Sequence, residues 1–367
     1  MGRSRTPGLV KRGDVWHIDK CYRGRRLCES TGTGDLAEAQ DQLTRRLDEA
    51  RQASVFGVRP QRTFRQAATK FLLENQHLRS IEAYALHLKQ LDPLIGSLPL
   101  ASIHMGTLRP FIEARQRAKC KTKTINLALA TVRRVLNVAA SEWLDEHNLT
   151  WLAAPPKIKL LKVTDARGPY PLSWDEQTRL FQQLPGHLAR MALFKVNTGC
   201  RDQEVCGLRW EWEVEVPELE TTVFLIPGDR VKNGDERLMV LNRVARAVIE
   251  SVRGQHPEYV FPYRGHRIET MNNNAWQKAR VRAGLPQVRV HDLKHTFGRR
   301  LRAAGVSFED RQDLLGHRSG RITTHYSAAE LQNLLEAANR VCEEKSRKSP
   351  ALTILKRKAP AATAASA

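Results

Sequence analysis

The chain has 367 residues, and 60 Lys and Arg against 39 Asp and Glu give it a formal net charge of +21. That length predicts two or three domains, and the cationic surplus predicts a polyanionic partner, nucleic acid first. A transmembrane helix is excluded because no apolar run approaches about 18 residues, a secretory signal because no apolar stretch follows the basic start, and a zinc site because the six cysteines and the histidines lack ligand spacing.

In chain order, the stretches around Trp16–Tyr22 and Arg25–Thr31, joined by a turn at Arg23–Gly24, predict a small antiparallel hairpin or three-stranded sheet. Residues 3–26 hold eight Lys or Arg and two Asp, so this sheet is suited to a phosphate backbone. Asp35 is a candidate cap for a helix running to about Ala53, with Leu36, Ala39, Leu43 and Leu47 at helical spacing. Residues 54–62 read as a linker. From Thr63 to Ala154 the pattern is helical: Phe64, Ala67, Phe71; Ile81, Tyr84, Leu88, Leu91; Leu108, Phe111, Ile112; then a longer stripe from Thr124 through Ala139. This predicts a bundle of about four helices, with Lys119, Lys121, Lys123, Arg133 and Arg134 clustered around the last one.

Residues 155–171 alternate four prolines with lysines and read as a stiff basic linker. A third, mostly helical unit follows, in which TTVFLIP and RLMVLN flank a turn at GDRVKNGDE. The end of the chain, basic and then Ala-rich, reads as a disordered tail. The resulting expectation is mainly α with small β elements (α+β). Its domains are 1–57, 58–156, a linker at 157–171, 172–344, and a tail at 345–367. Cysteine usage fits a reduced, cytoplasmic protein.

The residues that carry chemistry lie in the third unit. NTGCRDQEVCGLRW can end one helix at Thr198–Gly199 and present Arg201, with Glu204 one turn later. Glu204 is expected to orient Arg201, with a plain surface charge as the alternative. Lys232 sits in the predicted hairpin turn. VRVHDLKHTFGRRL puts His291 and Lys294 at i, i+3, one helical face, with His295 beside them. LLGHRSGRITTHYS places His317 after a Leu-Gly turn and Tyr326 nine residues later. Two basic side chains on one face invite an anion. Leu331, Leu334, Leu335, Ala338 and Val341 then predict a helix with an apolar stripe that can pack on its own core.

In order and spacing these words resemble the tyrosine recombinases, the phage-type integrases. The family pattern runs Thr-Gly-x-Arg, a hairpin lysine, His-x-x-Arg, Leu-Gly-His and a tyrosine. It falls here on Arg201, Lys232, His291, Lys294, His317 and Tyr326. The match is specific over residues 172–342. For residues 1–154 it rests on architecture alone, a basic sheet and a helical bundle that resemble arm-binding and core-binding domains.

The resemblance implies a site-specific recombinase that cuts and rejoins DNA through a 3′-phosphotyrosine and inserts or excises a mobile element. Arg201, Lys294 and His317 would stabilise the pentacoordinate phosphorane, Lys232 would protonate the leaving 5′ oxygen, and His291 would take the tyrosine proton or hold a phosphate oxygen. No cofactor and no metal are expected. The implied partners are double-stranded attachment-site DNA, three further copies of the chain on two duplexes, and DNA-bending accessory proteins, with no membrane. The implied setting is a bacterial or phage-encoded protein at the nucleoid. One position departs from the pattern: Lys294 stands where the family has arginine, so the charge is kept and the bidentate fork is lost. Lys294→Arg is therefore expected to leave activity equal or higher. Two alternatives remain: a binding-only relative serving as regulator or accessory factor, and a type IB topoisomerase acting without a defined site.

Overall fold

The computed structural model describes residues 7–316 and 327–342, and the chain divides into two units, Met1–Arg167 and Gly168–Ala367. No described helix is long and apolar enough to cross a membrane.

The first unit opens with an antiparallel sheet, β1 (Leu9–Arg12), β2 (Val15–Tyr22) and β3 (Arg25–Ser30). Arg23 and Gly24 both take positive φ, 49° and 81°, the geometry of a two-residue hairpin turn whose twist matches its strands. Strand alternation puts Leu9, Ile18 and Leu27 on one face, against Ala39 and Leu43 of α1 (Leu36–Phe56). Asp35 caps this helix, its carboxylate accepting from the Glu38 N–H at 3.0 Å. The helix runs three residues beyond the expected end and stops at Gly57, whose φ of 65° suits a residue without Cβ.

The bundle follows: α2 (Phe64–Glu74), α3 (Ile81–Ile95), α4 (Met105–Arg117) and α5 (Thr122–Ser141). The apolar stripes close on one another, with Phe64, Phe71, Leu91, Ile95, Leu108, Leu129, Val132 and Leu136 at its centre. Thr63 and Gln66 form a reciprocal cap at the start of α2. Part of the segment read as a linker packs here: Ile158 is buried in the bundle, and Asn126 bonds both the N–H and the C=O of Leu161, at 2.8 and 2.9 Å. Prolines keep this stretch extended, and its apolar residues find the bundle surface.

The second unit holds α6 (Trp174–Gln183), α7 (Gly186–Thr198), the short α8 (Asp202–Cys206), the antiparallel meander β4 (Glu213–Val216), β5 (Thr221–Ile226) and β6 (Arg237–Val240), and α9 (Arg243–Val252). The hairpin β7 (Pro262–Tyr263) and β8 (His266–Arg267), then α10 (Asn274–Arg282), α11 (Val290–Ala303), α12 (Phe308–Leu315) and α13 (Ala328–Asn339) complete it. The expected hairpin is β5–β6. Strand β4 adds a third member that four alternating residues between short helical turns did not announce.

Helix α7 is buried nearly all round over its last two turns, as a central helix is: Leu188, Met191, Phe194 and Val196 are fully buried, packed with Phe224, Ile249, Trp276 and Leu293, and Lys195, Asn197 and Thr198 are buried with them. A second cluster joins Val240, Phe297, Leu301 and Leu314 to Leu334, Ala337 and Ala338 of α13. The stripe after residue 327 therefore packs on its own unit. The expected tail lies outside the described residues.

Candidate active site

Helix α7 ends at Gly199, whose φ is 62°. A Cβ there would meet Phe297 Cδ1 at 2.6 Å and Leu315 Cδ2 at 2.9 Å. Glycine thus lets the turn close onto α11 and α12. Two residues later Arg201 caps α8. Its N–H donates to Glu204 Oε2 at 2.6 Å and its Nη1 to Glu204 Oε1 at 2.8 Å. Its Nη2 donates to the carbonyl of Gly316, 115 residues away, at 3.1 Å.

Glu204 is no surface charge, since its side chain is 2% exposed. It also accepts from Nη1 of Arg237, which is equally buried and whose Nη2 donates to the Leu314 carbonyl at 3.4 Å. Burial alone would raise the Glu204 carboxyl. Arg237, then the bonds from Arg201, outweigh that and hold it below the usual value. One carboxylate thus fixes two guanidinium groups.

Lys294 points inward from α11 and is 5% exposed. Its amine donates to the Gly199 carbonyl at 2.7 Å and to the Leu315 carbonyl. Burial, then the nearby Arg237 and Arg201, push it down to about 6, against the partial pull of Glu204. Lys195 is a second buried lysine, bonded to the Cys200 carbonyl, and burial lowers it too.

His291, one turn before Lys294, is exposed and meets His295 edge-on with ring centres 4.8 Å apart. Although the residue keeps exposed surface, partial desolvation of its ring, then the charges of His295, Lys195 and Lys294, push His291 down to about 4, so its imidazole is neutral at neutral pH, with a free lone pair that is less basic than usual. His291, Lys294 and His295 share a cleft of about 360 Å³ with Arg299, Arg302 and Arg311. Lys232 is exposed on the connection between β5 and β6 and makes no hydrogen bond or ion pair among the described residues. His317 and Tyr326 lie outside the described residues, between Gly316, which ends α12, and Ser327, which caps α13. No three His, Cys, Asp or Glu among the described residues converge as a metal site requires.

The structure thus joins Arg201 and Lys294 through the turns at Gly199 and Leu315–Gly316, and places His291 beside Lys294. Arg237, Lys195 and the arginines of the cleft did not stand out in the sequence. Only Arg237 left a signal, since alternation along β6 puts it on the same buried face as Met239.

Residues 172–333 match the phage integrase family. The integrase of Salmonella phage P22 is 24% identical over 376 aligned positions, covering 91% of this chain and 94% of its own. The tyrosine recombinase XerC of Xanthomonas campestris is 26% identical over 291 positions, covering 73% and 85%. Among solved structures, a lambda integrase tetramer bound to a Holliday junction superposes with a TM-score of 0.56 at 16% identity, covering 89% of this chain and 99% of that one.

Proposed function

The chain belongs to the phage integrase family, the tyrosine recombinases, through residues 172–333, and on that premise we propose that it is a site-specific DNA recombinase whose reaction centres on Arg201 and Tyr326. The observation that carries this reading is the meeting of three distant motifs. Lys294 of the His-x-x-Lys word bonds the Thr-Gly turn and the last residue of α12, and Arg201 bonds Gly316 just before His317.

A phosphodiester seated at this cationic group would gain charge on its non-bridging oxygens as it becomes pentacoordinate. Arg201, pinned by Glu204 beside the guanidinium of Arg237, is preorganised to receive that charge, with His317 adding a hydrogen bond. The Tyr326 hydroxyl attacks phosphorus and the bond to the 5′ oxygen breaks. The tyrosine proton passes to the neutral His291, and Lys232 gives a proton to the departing oxygen. The 3′-phosphotyrosine keeps the bond energy, and the reverse step on a second duplex rejoins the strand.

The other assignments follow the same reading. The basic sheet of residues 1–57 would grip outlying DNA. The last bundle helix would lie on the backbone near the core site, where Arg133, Arg134, Tyr84 and His87 line one groove. A lambda integrase has been solved as a tetramer on a Holliday junction. This chain is proposed to act as a homotetramer on two duplexes at the nucleoid, with DNA-bending proteins as accessory partners.

The test is a covalent-adduct assay. Wild type and Tyr326→Phe are incubated without metal with DNA flanking the gene, denatured and resolved on a gel. An adduct at one sequence that disappears in Tyr326→Phe, with DNA binding retained, supports the reading. Adduct surviving in that variant removes Tyr326 as nucleophile. Salt-sensitive binding without adduct on any flanking fragment favours the binding-only alternative.

A further inference from the structure

We propose that Lys294 is a positioning residue around which this site has been shaped: its amine ties the turn that presents Arg201 to the end of α12 that leads into His317, rather than gripping the phosphate in place of an arginine. This rests on the recombinase reading of the site.

Four observations carry it. The amine bonds two backbone carbonyls, Gly199, 95 residues away, at 2.7 Å, and Leu315. These carbonyls cap two chain turns, one after α7 and one closing α12, and each borders a residue of the site. Orphan carbonyls at buried helix ends need a donor, and Lys294 supplies one to both. A lysine amine aims its N–H bonds tetrahedrally and so serves carbonyls in different directions, whereas a guanidinium holds its N–H bonds in one plane.

Room is the next constraint. A Cβ on Gly298 would lie 3.0 Å from Leu315 Cδ1, and one on Gly199 would lie 2.6 Å from Phe297 Cδ1. The turn at Gly199 and the helix at Gly298 are therefore packed tight against Phe297 and Leu315, so neither can shift freely to follow a displaced head group. Finally, Arg201 bonds Gly316, the residue after Leu315. Any slip of this turn moves the arginine that meets the phosphate. The charges of Arg237 and Arg201 lie near enough to disfavour a further cation at the amine, with Glu204 opposing them in part, which suits a donor to carbonyls better than a second phosphate clamp.

The test compares wild type with Lys294→Arg, Lys294→Met and Lys294→Gln in two measurements on the full chain. Amide hydrogen exchange without DNA is expected to rise about 10-fold or more at residues 199–201 and 314–316 in every variant, with α9 and β5 unchanged as the control for an intact fold. With a cleavable DNA site, adduct formation in Lys294→Arg is expected to fall about 100-fold, the effect of a misplaced catalytic group, while the DNA concentration for half-saturation moves less than about threefold.

Lys294→Arg that cleaves as fast as wild type, or faster, with exchange unchanged would overturn the proposal and make Lys294 a phosphate ligand. The three variants differ in size and polarity, so one that fails to fold leaves the others to decide. If wild type forms no adduct on any DNA, the recombinase reading fails, and the exchange measurement still decides whether Lys294 holds the two turns.

Discussion

Arg237 and Glu204 form an ion pair inside the second unit, with side chains 3% and 2% exposed. Such a pair gains little over an apolar one, but losing one member strands the other's charge away from water. Glu204 also holds Arg201 through two hydrogen bonds. The pair therefore sits at the root of the site, and its loss reaches stability and chemistry together.

Glu204→Gln keeps the shape and removes the counter-charge of both arginines. The expected cost is about 3 kcal/mol, a fall in melting temperature of about 6 °C or more for a unit of this size. Thermal unfolding followed by circular dichroism measures it. A melting temperature within about 2 °C of wild type would show that water or a rearranged side chain replaces the carboxylate.

Gly199→Ala meets two obstacles at once. Its φ of 62° is strained for an L side chain, and its Cβ would press into Phe297, which is buried in the interior of the unit, and Leu315, which is half-buried against the same cluster. Backbone strain and overpacking each cost roughly 1–3 kcal/mol. We expect a loss of about 3 kcal/mol and weaker cleavage, since the same turn presents Arg201. Equal urea midpoints for the two proteins would mean that the turn relaxes freely.

Lys294 links stability to pH. Burial lowers it from 10.5 to about 6. Between those values the unfolded chain carries a proton that the folded chain has released, so stability rises with pH across the window. Lys195, also lowered by burial, acts in the same direction, so the contribution of Lys294 is read as a difference between proteins. The rise in melting temperature from about pH 6 to about pH 8 should be smaller in Lys294→Met than in wild type. Parallel profiles would show that the lysine keeps its proton when folded.

DNA binding should weaken steeply with salt. A chain of net charge +21 that neutralises several phosphates is expected to lose about 10³-fold in affinity or more between roughly 50 and 200 mM salt. Fluorescence anisotropy on a duplex gives the slope. A flat response would remove the basic sheet and the basic bundle helix from the footprint.

Much of the fold was legible because its signals are local. The Asp35 cap, the stripes of α2 to α5, the Gly199 stop and the β5–β6 hairpin each lie within a few residues of the feature they specify. Strand β4 was silent because four alternating residues are too few to distinguish from a loop. The packing of Ile158 was silent because prolines and lysines dominate its segment. Arg201, Lys232, His291, Lys294, His317 and Tyr326 were named from words in order, and for the last two the sequence is the whole basis.

Side-chain chemistry, periodicity and motif order belong to the sequence by itself, because each is written in neighbouring residues. The partners of those side chains were decided by the tertiary structure. Glu204, expected to orient Arg201 alone, is the buried anchor of two arginines because α8 and β6 pack together. Lys294 donates to the carbonyls of two turns because α7, α11 and α12 bring their ends to one point. Which carbonyl faces an amine 95 residues away depends on how every apolar stripe between them is buried, and no local pattern carries that.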